Sequence, residues 1–534
     1  MIKKYYSFFP FIFAFISFLS LQLLVFDKGL NFRDEGFLLN NAIRILHGEI
    51  PYKDFFLTTT PGTYYLQSYI FKLFGVHVIF DRFLYILLVF ILLAILNFLL
   101  CKINLFFKTL ILLLIAFTLT GIGTFAFYNI EGLVLFLLAI SLYIKGGYSK
   151  KGFFLVGVVL GLLFIFKQSY GIFALGAFIC LLFINNFRNA TKQVLYMLSG
   201  LMVIITPFVG YLIWNKAFSQ FIYFSFIFAQ EVKGHRSAFI LTSFLFIPLF
   251  LIALYIIKKL SLKKAFIFLG VFLVGFFLLY IAISPARLGR ILTYIKDPLI
   301  YYYGFLLIFP LFIISEFAKL KNNNIILYSV CTLSLFLASA SSGRDFTTVI
   351  MLFPLVILLC TELINVMHKK IFVLIIIVYS FFPLIFFGIS IKSFLTQVNY
   401  IQLPLLHFEG ILLPKTTAEE IVSVVKYIQK ESNNNDSILC FPYCPLINVL
   451  AQRNSGSYFS FFYPETIRVK DQNRVIDDLK KNETKIIILQ KSGTIEKEAL
   501  YENKRLSLLK EYFISDFSPI FSSQNFVIYN KKRK

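Results

Sequence analysis

The stretch FFPFIFAFISFLSLQLLVF, Phe8 to Phe26, follows Met1-Ile-Lys-Lys and decides what kind of chain this is. It is apolar over the length that crosses a bilayer, about 20 residues at 1.5 Å each. Lysines ahead of an apolar run suggest a secretory signal. No small-x-small cleavage site follows, so the run reads as an uncleaved first span. Further apolar runs lie at 80–100, 105–126, 130–144, 152–166, 171–185, 194–214, 238–257, 265–283, 299–315, 325–338, 347–366 and 371–391. With the first, they predict a polytopic α-helical membrane protein of about 13 transmembrane helices. Those at 130–144 and 152–166 are short for a full crossing.

Composition agrees. Of 534 residues, 59% are apolar and only 15% charged, too few charges to cover soluble domains. Phe occurs 68 times and Tyr 30 times, which is lipid-compatible bulk. The net charge of +24 suits anionic lipid headgroups or phosphate-bearing substrates. Spread along membrane spans, it does not suit nucleic acid.

Lysine placement sets the expected orientation. With the N-terminus inside, Lys3/Lys4, Lys102/Lys108, Lys145/Lys150/Lys151, Arg188/Lys192, Lys258/Lys259/Lys263/Lys264, Lys319/Lys321 and Lys369/Lys370 all face the cytoplasm. Of the 12 acids before residue 392, only Glu316 and Glu362 then fall inside. Arg33, Arg44, Arg82, Arg236, Arg287, Arg290 and Arg344 also fall outside. Acids and arginines gathered on one face point to function there. The chain thus divides into a transmembrane domain, 1–391, and a soluble domain, 392–534, on the outer face.

The soluble part predicts a small mixed α/β domain. Ile438–Phe441, Ile486–Leu489 and Phe526–Tyr529 are short apolar runs. Thr416–Lys430 has helical spacing through Ile421, Val424, Val425 and Ile428, with Thr417 as N-cap. Cys440 and Cys444 fit either a local disulfide or two free thiols. No second pair or histidine cluster completes a zinc site.

Residues 27–79 form the first outer loop. It opens N-F-R-D-E-G, Asn31–Gly36. From Leu38 to His47 an amphipathic helix is expected, with Leu39, Ala42, Ile43 and Leu46 on the face laid against the membrane. Gly48 ends it. The turn P-Y-K-D-F, Pro51–Phe55, follows. A second helix is expected from Thr60 as N-cap and Pro61 at its first position, ending near Gly75.

These residues carry a resemblance. D-E-G at Asp34–Gly36, then Ala42, Leu46, Gly48, Pro51, Tyr52, Asp54 and Phe55, then P-G-x-Y-Y-L at Pro61–Leu66, resemble the GT-C-type membrane glycosyltransferases. That superfamily includes the protein O-mannosyltransferases and the aminoarabinose transferases that modify lipid A. K-Q-S at Lys167–Ser169 and S-G-R at Ser342–Arg344 are similar to segments of bacterial members. So are F-P-Y-C-P at Phe441–Pro445 and L-A-Q-R at Leu450–Arg453. The chain departs from the pattern at Thr347-Thr348, where many members carry His-Tyr.

The resemblance implies a polyprenyl-phosphate-linked sugar as donor and a surface glycan, lipid or protein as acceptor, at a bacterial cytoplasmic membrane. A carboxylate must take the acceptor's proton during attack, worth roughly 10²–10⁴ in rate. Cations must stabilise the departing phosphate. Asp34 is the expected base, shielded by the interface and supported by Glu35 and Asp54. Lys167, Arg287, Arg290 and Arg344 are the phosphate candidates, with Glu131 a further donor-site acid. No cofactor is required; a divalent metal held by Asp34 and Asp54 is the alternative.

Each residue also has a plainer reading. Asp34 and Glu35 suit a helix N-terminus. Asp54 suits a tight turn, Glu131 a loop, and Lys167 a snorkelling position. The arginines suit interface anchoring, and His47 and His235 polar loops. Rival functions are a transporter of lipid-linked sugars, a polysaccharide polymerase or ligase, and a non-catalytic relative. Paired repeats and mid-membrane ionisable groups would mark the first, and a large late loop rich in Arg and His the second.

Overall fold

The computed structural model describes residues 8–146, 149–185, 187–228, 323–342, 346–363, 399–462, 467–491 and 506–532. The predicted spans at 238–257, 265–283, 299–315 and 371–391 lie outside these residues. Each of the other nine runs holds a helix among its described residues. These helices are α1 (Phe9–Gln22), α4 (Val78–Leu99), α5 (Leu105–Ile122), α6 (Tyr128–Gly146), α7 (Lys150–Phe166), α8 (Gln168–Asn185), α9 (Phe187–Trp214), and, after a short α10 (Phe218–Ile222), α11 (Asn323–Ser342) and α12 (Phe346–Leu363). Four of them, α4, α6, α8 and α9, are long and apolar enough to cross a membrane. Local chemistry starts several: Asn104 accepts from the Phe107 N–H and Ser149 from the Gly152 N–H.

Helices α7 and α9 pack backbone to backbone. A Cβ at Gly157 would lie 1.8 Å from the Met197 carbonyl oxygen, and one at Gly200 would lie 2.0 Å from that of Phe154. Small residues permit that approach, and in lipid dispersion contact drives helix association. Leu92, Leu133, Leu160, Phe178 and Leu355 belong to the continuous core of the bundle.

Two helices lie in the first loop, α2 (Asp34–Leu46) and α3 (Gly62–Phe74). Helix α2 begins four residues earlier than periodicity predicts. Asn31 Oδ1 accepts from the N–H groups of Arg33 and Asp34, and Glu35 reaches back to accept from the Asn31 N–H at 2.9 Å. Those bonds satisfy amides that a first turn leaves open. Gly48, at φ 91°, turns the chain away as expected. Pro61, not Thr60, is the N-cap of α3.

The chain after residue 398 begins with the hairpin β1 (Tyr400–Gln402) and β2 (Leu412–Pro414), then α13 (Lys415–Glu431). Helix α13 starts behind Pro414 rather than Thr417, and it buries Ile421, Val424, Val425 and Ile428. A five-stranded sheet follows in the order β4 (Asn454–Ser455), β3 (Ser437–Phe441), β5 (Ile486–Gln490), β7 (Phe526–Lys531), β6 (Phe517–Ser522). Strands β3 and β5 are parallel, and β5 and β7 antiparallel. Helices α14 (Leu446–Ala451), α15 (Val469–Lys481) and α16 (Ser507–Asp516) complete it.

One expectation is overturned. The apolar face of α2 does not lie on a membrane. Leu39 and Ala42, with Ile43 and Leu46 beside them, pack into one core with Leu403, Phe408, Ile411, Leu446 and Val449 of the C-terminal region. The supposed polar face is buried too, at Asn40 and Arg44. A stripe of this width shows that a helix has an apolar partner, not which one.

Candidate functional site

Asp34 opens α2 and is exposed. Its Oδ1 accepts a 3.0 Å hydrogen bond from the Tyr443 hydroxyl, and its other oxygen makes no hydrogen bond among the described residues. The shielding expected of an interfacial base is therefore not seen at this carboxylate. Tyr443 stands in the F-P-Y-C-P turn, where Cys440 and Cys444 form a disulfide with Cα atoms 5.5 Å apart. That settles the open reading of the pair. Phe37, Tyr443 and Phe461 flank the carboxylate with mutual ring contacts of 5.4 to 6.4 Å.

Gly36 explains why the turn comes so close. A Cβ there would lie 2.6 Å from both the Leu446 Cβ and the Leu446 amide nitrogen. The third residue of D-E-G is thus a contact point for α14, and the contact sets Tyr443 beside Asp34.

Glu35 points the other way. It is 1% exposed, and its Oε1 is 3.1 Å from Arg82 Nη2, itself 1% exposed. Arg82 also donates to the carbonyls of Phe26 and Gly29, at 2.5 and 2.7 Å. The pair fastens the start of the loop to the start of α4. Buried pairs of this kind fix geometry, and removing one partner costs roughly 3–5 kcal/mol.

Asp54 is engaged as well. Its Oδ2 accepts from the Ile50 N–H at 2.8 Å, and its carbonyl accepts from Arg44 Nη2 at 3.0 Å. Arg44 also pairs with Glu49 at 2.7 Å and donates to the Ser457 carbonyl at 3.1 Å. Arg44 is ten residues along α2 from Asp34, about 15 Å at 1.5 Å per residue. The two acids have separate partners: Asp34 accepts from the Tyr443 hydroxyl and Asp54 from the Ile50 N–H. Among the described residues, no three His, Cys, Asp or Glu side chains converge as a metal site.

Beneath the loop lies a second polar layer. Lys167 joins α7 to α8, buried, with its ammonium 4.0 Å above the Tyr128 ring. The next residue, Gln168, holds the T-T-T-P-G turn: its Oε1 accepts from the Thr60 N–H at 3.1 Å and its Nε2 donates to the Thr58 carbonyl at 2.8 Å. Glu131 accepts from the Thr63 hydroxyl in a buried contact. Gln67 donates to Asp81 at 2.6 Å. Glu131 and Gln168 thus bond to the first loop, with Lys167 against Tyr128, while Asp34 is exposed at the start of α2. Arg287, Arg290 and Arg344 lie outside the described residues, as does His235.

Tyrosines lace the loop to the C-terminal region. The Tyr458 hydroxyl donates to the Tyr52 carbonyl at 2.6 Å, and the Phe56 N–H donates to the Tyr458 carbonyl at 2.9 Å. Burial pushes the Tyr52, Tyr64 and Tyr458 hydroxyls above the ordinary phenol range, so they stay protonated donors.

Sequence reasoning placed Arg82 among the outer arginines but missed its pairing with Glu35, and it missed the contacts of Gln168 and Tyr443. A signal existed for Arg82, since D-R at the mouth of an apolar run is a costly placement that demands partners. Gln168 and Tyr443 stood within quoted motifs, but nothing local says what they touch.

Neither protein-family models nor curated proteins yield a match to this chain. Solved structures do. An oligosaccharyltransferase of Archaeoglobus fulgidus, solved with zinc and sulfate, superposes at TM-score 0.53 and 11% identity, over 98% of this chain and 73% of that one. The same enzyme tethered to an acceptor peptide gives TM-score 0.52 at 9% identity, over 99% and 74%. ArnT from Cupriavidus metallidurans in the apo state gives 0.47 at 12%, over 99% and 98%. At such identities the likeness is one of fold alone.

Proposed function

We propose that the chain is a glycosyltransferase that moves a sugar from a polyprenyl-phosphate carrier to an acceptor hydroxyl at the outer face of a bacterial cytoplasmic membrane. The fold likeness and the first-loop motif support the class. One observation carries the residue assignment: of the three first-loop acids expected to act, Asp34 alone presents an exposed carboxylate with an oxygen not engaged among the described residues. In the reaction the acceptor oxygen attacks the anomeric carbon. The bond from that carbon to the carrier phosphate breaks, and the phosphate leaves with the electron pair. Asp34 takes the acceptor's proton as attack proceeds.

The remaining polar groups position. Glu35 with Arg82 sets the start of α2, and Asp54 closes the 50–54 turn. Lys167, Arg33 and the arginines at 287, 290 and 344 are the candidates for the phosphate. The sugar and the acceptor are the specific unknowns of this reading.

The test is sugar transfer by purified Asp34→Asn beside the parent, from a panel of polyprenyl-phosphate sugars. Loss of roughly 10²–10⁴ in rate with an unchanged melting curve is expected. Equal transfer by the two proteins removes Asp34 as the base. For orientation, cysteines introduced in 27–79 and 415–532 should react with an impermeant reagent from outside spheroplasts; protection of either region reverses the topology.

A further inference from the structure

A cavity of about 890 Å³ opens between the C-terminal half of α2 and the sheet domain. Its lining excludes Asp34. It starts at Asn40, six residues from Asp34 along the same helix, about 9 Å at 1.5 Å per residue. Lys53 and Asp54 of the first-loop motif and Gln452 and Arg453 of L-A-Q-R line it, and no step of the proposed reaction uses it.

Its chemistry is specific. The walls are mainly amide, hydroxyl and cationic side chains, among them Asn40, Asn448, Ser455, Gln452, Lys53 and Lys481. Of the acids on the wall, Glu49 pairs with Arg44, while Asp54 and Asp478 keep their charge and accept backbone N–H bonds from Ile50 and Tyr458. Five cations, Arg44, Lys53, Arg453, Arg474 and Lys481, outnumber these three acids. Lys53, Arg474 and Lys481 make no ion pair among the described residues. Arg474 lies with its guanidinium 3.4 Å from the Tyr458 ring centre, facing the same space.

Asn40, 5% exposed, contributes an amide to this wall. Dense amides and hydroxyls match the alternating donors and acceptors of sugar hydroxyls. Surplus cations around them select a sugar that also bears an anion.

We infer that this cavity binds an acidic saccharide, one whose sugars carry carboxylate or phosphate groups. Taken with the transferase reading on which this further step rests, the occupant is part of the acceptor, seated on the same helix that carries Asp34. The shared helix then fixes the distance between the recognised portion and the hydroxyl that attacks.

Binding is measured on the full-length protein in lipid nanodiscs by titration calorimetry. The probes are tetragalacturonate, neutral maltotetraose and inorganic phosphate. Tetragalacturonate should bind, and maltotetraose should bind at least about tenfold more weakly. The exposed double variant Lys53→Glu/Lys481→Glu should weaken tetragalacturonate by about tenfold or more, and Asn40→Ala by a smaller factor. Asp34→Asn should leave this affinity unchanged. Equal binding of tetragalacturonate by parent and double variant overturns the inference. So does its full displacement by phosphate at matched ionic strength, which marks a charge effect only. If binding behaves as expected while Asp34→Asn still transfers sugar, the transferase reading fails and the saccharide site stands. If transfer requires Asp34 but tetragalacturonate does not bind, the reverse holds.

Discussion

Tyr443 and Asp34, 409 positions apart in the chain, share a hydrogen bond of 3.0 Å in which the phenol donates to the carboxylate. The candidate base is therefore oriented by a residue of the C-terminal region. Removing the hydroxyl with Tyr443→Phe should lower turnover by about tenfold or less, because the carboxylate remains and only its orientation relaxes. Turnover numbers and melting curves taken side by side check this. A large loss of stability instead would make Tyr443 a packing residue.

Gly36→Ala should be more disruptive than its size suggests. The new methyl would meet Leu446 at 2.6 Å, and one of the two contacts is to the backbone nitrogen. Overpacking of this kind costs roughly 1–3 kcal/mol. Leu446→Ala should not rescue it, since the backbone atom stays. Thermal denaturation of the single and double variants decides.

Glu35→Gln and Arg82→Met should each destabilise the protein by roughly 3–5 kcal/mol, since each leaves its partner buried and uncompensated. The double variant should lose less than the sum of the two. Denaturation in detergent measures all three. Additive losses would mean that the pair does not act as a unit.

Acid should loosen the C-terminal region in two stages. Partial burial holds His407 below the ordinary histidine value, against the opposing pull of Glu409. The unfolded chain then takes this proton first, near pH ~6.5, so stability falls as pH drops below that point toward the folded value. Asp436 is held below the usual carboxylate range by the Asn433 N–H first and by Lys485. Its contribution is present above pH ~3.9 and is lost as pH falls through its lowered value. His407→Asn, which tolerates the φ of 72° at that position, should flatten the first stage and leave the second. Melting temperature against pH follows both.

Much of the fold was legible because spans and strands write a local pattern. Nine apolar runs hold helices, and Ile438–Phe441, Ile486–Leu489 and Phe526–Tyr529 are all strands of one sheet. The start of α2 departs from the periodic reading because the Asn31 and Glu35 side chains bind its first amides, which periodicity does not register, whereas α13 starts behind Pro414 with no side-chain cap. The three first-loop acids could be found but not ranked. Glu35 and Asp34 are neighbours in sequence, yet one is sealed against Arg82 and the other is open. That difference comes from helix phase and from a partner 47 positions away. The covering of α2 by the C-terminal region left no trace either, because an apolar stripe reads the same against lipid as against protein.

That covering limits how the protein can be taken apart. Since Leu39 and Ala42 share a core with Leu446 and Val449, the loop and the tail are two halves of one folding unit separated by the bundle. Chimeras that exchange the tail alone between homologues will mismatch at this seam, whereas exchanging both segments keeps it whole. Synthesis from the N-terminus imposes the same dependence in time, because the loop emerges long before its counterpart and must wait, half finished, for the last quarter of the polypeptide.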